Sequence, residues 1–148
     1  MVLQITVGTA LLLTNILIAA VAAMLLEVMF QRSHTWMLRE PHRPKLVLMI
    51  AGVSLWVLGV ITAGIWVWAL AYLEIGAFAT LEQAVYFSLV CFTTLGFGDL
   101  LLPQDWRILA GMTAANGLLN FGLLTALLIE ALRHIRLGQV RQRPMSKM

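Results

Sequence analysis

Apolar residues fill this chain in three long runs, approximately Val2–Phe30, Leu46–Leu73 and Trp106–Leu132, and in one short run, Leu81–Phe92. A membrane-crossing helix needs about 20 apolar residues to cover a hydrocarbon core of about 30 Å. Each long run is sufficient; the short one reaches about half-way. The pattern predicts an N-terminal transmembrane helix over 1–30, a linker over 31–45, a membrane domain over 46–132 and a tail over 133–148. Within the domain it predicts an outer helix over 46–73, a half-length helix over 80–92, a loop over 93–99 and a last span over 106–132. Thr80 followed three residues later by Gln83 resembles a capping box, which places the start of the half-length helix. Such a helix must enter and leave the membrane on one side. Irregular backbone at that depth survives only inside protein or beside a water-filled cavity, so the loop after it is expected to line a cavity. The fold class is therefore all-α membrane protein, with three transmembrane helices and a re-entrant helix and loop.

Composition agrees with this pattern. Of 148 residues, 61% are hydrophobic and 11% charged, against about 25% charged in a soluble domain. The charges then orient the spans. Arg32, Arg39, Arg43 and Lys45 lie in the linker, and Arg133, Arg136, Arg141, Arg143 and Lys147 follow the last span, which leaves Arg107 alone elsewhere. Basic residues favour the cytoplasmic side, so the expected topology has the N-terminus outside and the tail in the cytoplasm. The first run has no Lys or Arg before it and is longer than the apolar core of a secretory signal, which marks a retained span. Trp66, Trp68 and Tyr72 gather at the outer end of the second span, as an interfacial aromatic belt would. Basic ends beside membrane helices point to lipid head groups as a partner, not nucleic acid. The first span lacks the repeated Arg or Lys of a voltage sensor. A single Cys91 excludes an intrachain disulfide and reads as an inert thiol. No nucleophile–base or metal-ligand cluster falls at membrane depth, so neither an enzyme nor a cofactor is expected. His34, His42 and His134 read as ordinary flanking polar residues.

The loop carries the most specific chemistry. In Thr94-Leu95-Gly96-Phe97-Gly98-Asp99, successive carbonyls can point the same way only if the backbone alternates between right- and left-handed conformations. Left-handed geometry is cheap for glycine, which rationalises Gly96 and Gly98. Carbonyls of Thr94, Leu95, Gly96, Phe97 and Gly98, with the Thr94 hydroxyl, could replace a cation's hydration shell. Leu95 and Phe97 would wedge the loop against the half-length helix. On the last span Thr113, Asn116, Gly117, Asn120 and Leu124 share a stripe at helical spacing. Asparagine is costly toward lipid, so the expectation is that Thr113, Asn116, Asn120 and Leu124 line a cavity beneath the loop.

Ala84–Asp99, AVYFSLVCFTTLGFGD, resembles the pore helix and selectivity filter of the potassium channel superfamily, and Leu109–Leu127 resembles the inner helix of small two-span bacterial potassium channels. The similarity covers Leu46–Leu132, so the first span lies outside the family's minimal pore. The resemblance implies a passive potassium-selective channel in a bacterial inner membrane, with K+ held at Thr94, Leu95, Gly96 and Phe97. One loop supplies a quarter of a carbonyl ring, which implies a homotetramer. Gly117 aligns with the family's hinge glycine. Family filters usually read TVGYG or TIGYG; the GFG form also occurs in the second pore loop of two-pore-domain channels. Where many relatives pair a filter Tyr with a pore-helix Trp, this chain has Phe97 and Phe87, so an aromatic pair is expected. Where some relatives pair a pore-helix Glu with the Asp after the filter, Val90 stands here, and Tyr86 is the expected partner of Asp99. Thr93, Asp99, Tyr86 and Phe87 are thus the expected filter supports. A weakly selective cation channel and a non-conducting accessory membrane protein are the alternatives.

Overall fold

The computed structural model of the chain describes residues 1–37 and 42–141. Every regular element among them is helical: α1 is Val2–Met37, α2 His42–Glu74, α3 Leu81–Phe92 and α4 Arg107–Arg141, with a 3₁₀ turn over Gln104–Trp106 before α4. α1, α2 and α4 are each long and apolar enough to cross a membrane, through Val2–Met29, Val47–Glu74 and Gln104–Glu130, whereas α3 is a shorter apolar helix. The protein is all-α with three transmembrane helices and one half-length helix.

The long helices outrun the apolar stretches. α1 continues through Met37 and α2 already begins at His42, so much of the predicted linker is helical; α4 continues through Arg141. Hydropathy marks only the part of a helix that meets lipid. Gln, Arg, Leu and Ala are good helix formers and carry the element onward. Pro44 falls in the first turn of α2, where its missing N–H is not needed. Residues 38–41 of the linker and 142–148 of the tail lie outside the described residues.

α2 stops at a Schellman turn. Gly76 takes φ +69°, its amide donates to the Leu73 carbonyl at 2.9 Å, and the Ala77 amide donates to the Tyr72 carbonyl at 3.0 Å. This closure satisfies carbonyls that would otherwise be stranded at the helix end. α3 then starts where the sequence places it: Thr80 is extended, with φ −128° and ψ 149°, and its hydroxyl accepts from the Gln83 amide at 3.3 Å.

α3 packs its back face, Ala84, Phe87, Ser88 and Phe92, into the core formed with α2 and α4, and leaves Glu82, Tyr86 and Leu89 on its open side. Trp68 and Tyr72 belong to that core and are fully buried, so the expected aromatic belt reduces to the exposed Trp66. Inside a membrane the gain is packing: the two rings fit against the back of α3, and the Tyr72 hydroxyl finds a partner on α4. α1 is integral to the bundle and packs against both α4 and α2. Its buried Gln4 accepts the Ile108 amide at 3.3 Å, supplying a cap to the N-terminus of α4. Further along, the Trp56 indole donates to the Ala22 carbonyl at 3.2 Å and holds α1 to α2.

The four helices converge on Phe92. Its ring lies against Gly64 of α2, where an added Cβ would stand 3.2 Å from Cζ and 2.8 Å from Asn15 Oδ1 of α1. Its backbone lies against Gly117 of α4, where an added Cβ would overlap the Phe92 carbonyl oxygen. Gly117→Ala should therefore force α4 from α3 and destabilise the protein by about 1–3 kcal/mol or more, as overpacking does. Gly52→Ala, with nothing within 4 Å of the new methyl, should be neutral or slightly stabilising. Thermal unfolding in detergent compares them, and equal effects would show that the Gly117 contact does not limit the packing.

Candidate functional site

The end of α3 and the loop after it form one hydrogen-bonded unit. A helix leaves its last carbonyls unpaired, and here the loop turns its own amides back to meet them. Thr93 donates to Leu89 at 3.0 Å, Thr94 to Cys91 at 2.9 Å, and Leu95 and Gly96 share the Val90 carbonyl at 2.9 and 3.3 Å. The Thr93 hydroxyl adds a bond to the Leu89 carbonyl at 2.7 Å. The amides of Thr93 to Gly96 are thus engaged while the carbonyls that follow are not. Among the described residues, no hydrogen bond uses the carbonyl of Thr94, Leu95, Gly96, Phe97 or Gly98.

Backbone conformation alternates along this stretch. Thr94, Gly96 and Gly98 have φ values of +60°, +58° and +78°. The two glycines match the sequence expectation. Thr94 goes beyond it, because a β-branched residue in the left-handed region is strained. Counting the alternation two residues back from Gly96 reaches Thr94, so the signal was present in the spacing, though not in the residue type. Strain at this position persists because the bonds on either side, from Thr94 and Leu95 into α3, leave the chain no other route.

Asp99 closes the outer end. The Tyr86 hydroxyl donates to its Oδ2 at 2.7 Å, as the sequence comparison anticipated. Tyr86 stands on the open side of α3, two turns before its end, where Asp99 returns over it. This hydrogen bond, with smaller help from the Asp99 and Leu100 amides, holds the Asp99 carboxyl below the ordinary carboxylate range.

Phe87 and Phe97 do not pair. Phe87 is buried among Tyr72 and Phe78, with ring centroids 5.2 and 5.0 Å away. Phe97 is 65% exposed and makes no ring contact among the described residues. Phe87 faces the back of α3 and finds its aromatic partners there, while Leu95 and Phe97 stand out from the loop on the exposed side. Cys91 is half-buried and free.

The polar stripe on α4 also differs from expectation. Thr113 and Asn116 are 0% exposed, Asn120 5% and Leu124 2%. These side chains face the interior of the chain, so they do not line an open cavity. The Thr113 hydroxyl, the Asn120 amide nitrogen and the Asn116 side-chain oxygen instead find local partners. Thr113 donates to the Leu109 carbonyl at 2.9 Å, which makes Tyr72 the donor in its 2.6 Å contact with the Thr113 hydroxyl. Asn120 donates to the backbone and side-chain oxygens of Asn116 at 3.0 and 2.9 Å. The expectation assumed that polar side chains at membrane depth seek water; another helix serves as well. The exposed face of α4 is a different stripe, Leu118, Gly122, Thr125 and Ile129. Gly117, the expected hinge, is held against Phe92 and has a packing reason to be glycine. Glu130 forms a long, exposed ion pair with Arg133 at 4.0 Å, of little energetic weight.

Sequence reasoning also missed Gln4, Asn15 and Tyr72 as residues that position the site. Their signal was polarity within apolar runs, and their partners lie 104, 49 and 41 positions away, respectively, too distant to infer from spacing.

The Tyr86–Asp99 bond yields a prediction. Because the folded-state pKa of Asp99 is depressed, its contribution is fully present above the ordinary carboxylate pKa of about 4 and is lost as pH falls through the depressed value. Tyr86→Phe should raise the Asp99 midpoint toward that ordinary value, read by carboxyl NMR titration. An unchanged midpoint would show that the bond does not form in the membrane-embedded protein.

Comparison with known families agrees with this geometry. No curated protein and no solved structure matches the chain significantly. A family model described as an ion channel matches residues 55–134, more than half of the chain, from the middle of α2 through α3 and the loop to the membrane-spanning part of α4. A three-span membrane chain that carries this match, with α3 and its carbonyl-rich loop at the centre of the matched region, belongs to that ion channel family.

Proposed function

We propose that the chain is the subunit of a potassium-selective channel, conducting K+ passively through the carbonyls of Thr94, Leu95, Gly96, Phe97 and Gly98. The observation that carries this reading is the asymmetry of the loop. The amides of Thr93 to Gly96 are spent on the end of α3, the backbone is left-handed at every second residue from Thr94 to Gly98, and among the described residues the loop carbonyls accept no hydrogen bond. Carbonyl dipoles without a formal charge can replace water around a monovalent cation and still release it. No enzyme chemistry and no cofactor enter the reading; K+ is the permeant ion.

One loop cannot encircle an ion, so the proposal includes a homotetramer with the loops around a common axis. The exposure of Leu95, Phe97 and the Leu118–Ile129 stripe of α4 in the single chain supports this. In the assembly the loop would be packed by neighbouring copies, and Leu118, Gly122, Thr125 and Ile129 replace Thr113, Asn116, Asn120 and Leu124 as the candidates for the cavity wall. Thr93, Tyr86 and Asp99 act as loop supports, each through a bond already described. The topology follows the basic residues: N-terminus and loop outside, α4 ending in the cytoplasm, with anionic lipid head groups at the basic ends. A bacterial inner membrane is the proposed location.

Bi-ionic reversal potentials of the reconstituted protein test selectivity. The proposal expects a reversal potential displaced strongly toward the K+ equilibrium when Na+ replaces K+ on one side. Equal permeability would establish a weakly selective cation channel. Flux that is absent from wild-type protein, or unchanged by Gly96→Ala, would remove the loop from conduction altogether.

A further inference from the structure

Among the described residues, three buried side-chain polar atoms have no hydrogen-bond partner: Trp68 Nε1, Ser88 Oγ and Asn116 Nδ2. All three residues are 0% exposed. In water such groups would cost nothing, but at membrane depth an unsatisfied donor or acceptor is strongly destabilising. Three such atoms in one small bundle demand a common explanation.

The register brings them together. α2 and α4 run antiparallel, and Tyr72 meets Thr113 between them. One turn further into the membrane, Tyr72 is followed by Trp68 and Thr113 by Asn116. Trp68 stacks beside Tyr72 at 6.0 Å between ring centroids. From the third side comes Ser88, on the buried back face of α3 between Ala84 and Phe92. Phe92 packs on Gly117, the residue next to Asn116. Trp68, Ser88 and Asn116 thus stand within a turn of the Tyr72–Thr113 and Phe92–Gly117 contacts, one on each of α2, α3 and α4.

The donors define what can sit there. Asn120 donates to Asn116 Oδ1 at 2.9 Å, which fixes the amide and turns Asn116 Nδ2 the other way. Trp68 Nε1 can only donate. Two N–H donors repel a cation, and a buried anion without a counter-charge would be far too costly. The occupant must accept two hydrogen bonds and complete a third with a hydroxyl, while remaining neutral and small. Water meets each condition, with lone pairs for the two N–H groups and a hydrogen for Ser88 Oγ.

We propose that Trp68, Ser88 and Asn116 bind a buried water molecule that ties α2, α3 and α4 together behind the loop. The site lies on the opposite face of α3 from the Tyr86–Asp99 bond, so the helix is fastened on both sides by polar contacts. The inference does not depend on which ion is conducted.

A structure of the full-length protein at a resolution that shows ordered water tests it. The expected result is a water peak within about 3 Å of all three atoms. A direct bond between any two of them, or no peak while other buried waters are visible, overturns the proposal. A double-mutant cycle adds an independent readout. Trp68→Phe and Ser88→Ala should each lower the melting temperature in detergent, Ser88→Ala by about 3 °C. The double variant should lose clearly less than the sum, because either change already releases the shared water. Full additivity, or no loss in Ser88→Ala, overturns it.

Discussion

Everything about the loop depends on where α3 ends, and that position is set by Phe92. The ring is fully buried against Gly64, while its carbonyl meets the backbone of Gly117. Phe121 adds an edge contact at 6.2 Å between centroids. Two glycines on separate helices thus leave space for one large residue, and the close approach of backbones that follows gives α3 a fixed depth. Since the carbonyls of Leu89, Val90 and Cys91 receive the loop's amides, fixing the end of α3 fixes the loop. A short helix of 12 residues has too little surface of its own to hold such a position. Its rigidity is borrowed from α2 and α4, and through Asn15 at Gly64 from α1.

A second constraint runs through the structure. Polar groups at membrane depth must be satisfied by protein when water is absent. Lipid-side hydroxyls answer by bonding backwards: Thr6, Thr14 and Thr62 donate to carbonyls four residues earlier at 2.8–3.0 Å. Interior groups answer by pairing across helices, as Tyr72 does with Thr113 and Gln4 with the first turn of α4. The same rule explains why the asparagines of α4 are buried together. It also shows why α1, outside the segment matched by the family model, is an integral part of the bundle.

Much of this fold could be read from sequence because membrane depth imposes few solutions. Three long apolar runs gave three spans, and the Thr80–Gln83 spacing located α3 to within a residue. Gly96 and Gly98 announced left-handed backbone, and the replacement of a carboxylate by Val90 pointed to Tyr86 as the partner of Asp99. Where reading failed, the cause was tertiary. Periodicity identified the Thr113–Leu124 stripe as a face but could not say whether water or Tyr72 lay opposite. An aromatic belt and a buried aromatic core have one composition, and only packing separated Trp66 from Trp68 and Tyr72. Phe87 lost its expected partner because three aromatic rings from α2, the α2–α3 connection and α3 close on one another first.

The central claim is that free loop carbonyls, held by the end of α3, converge on an axis shared by several copies of the chain. Single-particle imaging of the protein purified in K+ measures this most directly. The account predicts four copies around one axis, with cation density in file between Thr94 and Phe97. A monomer, or an assembly in which the Thr94–Asp99 loop lies away from any axis, would contradict it.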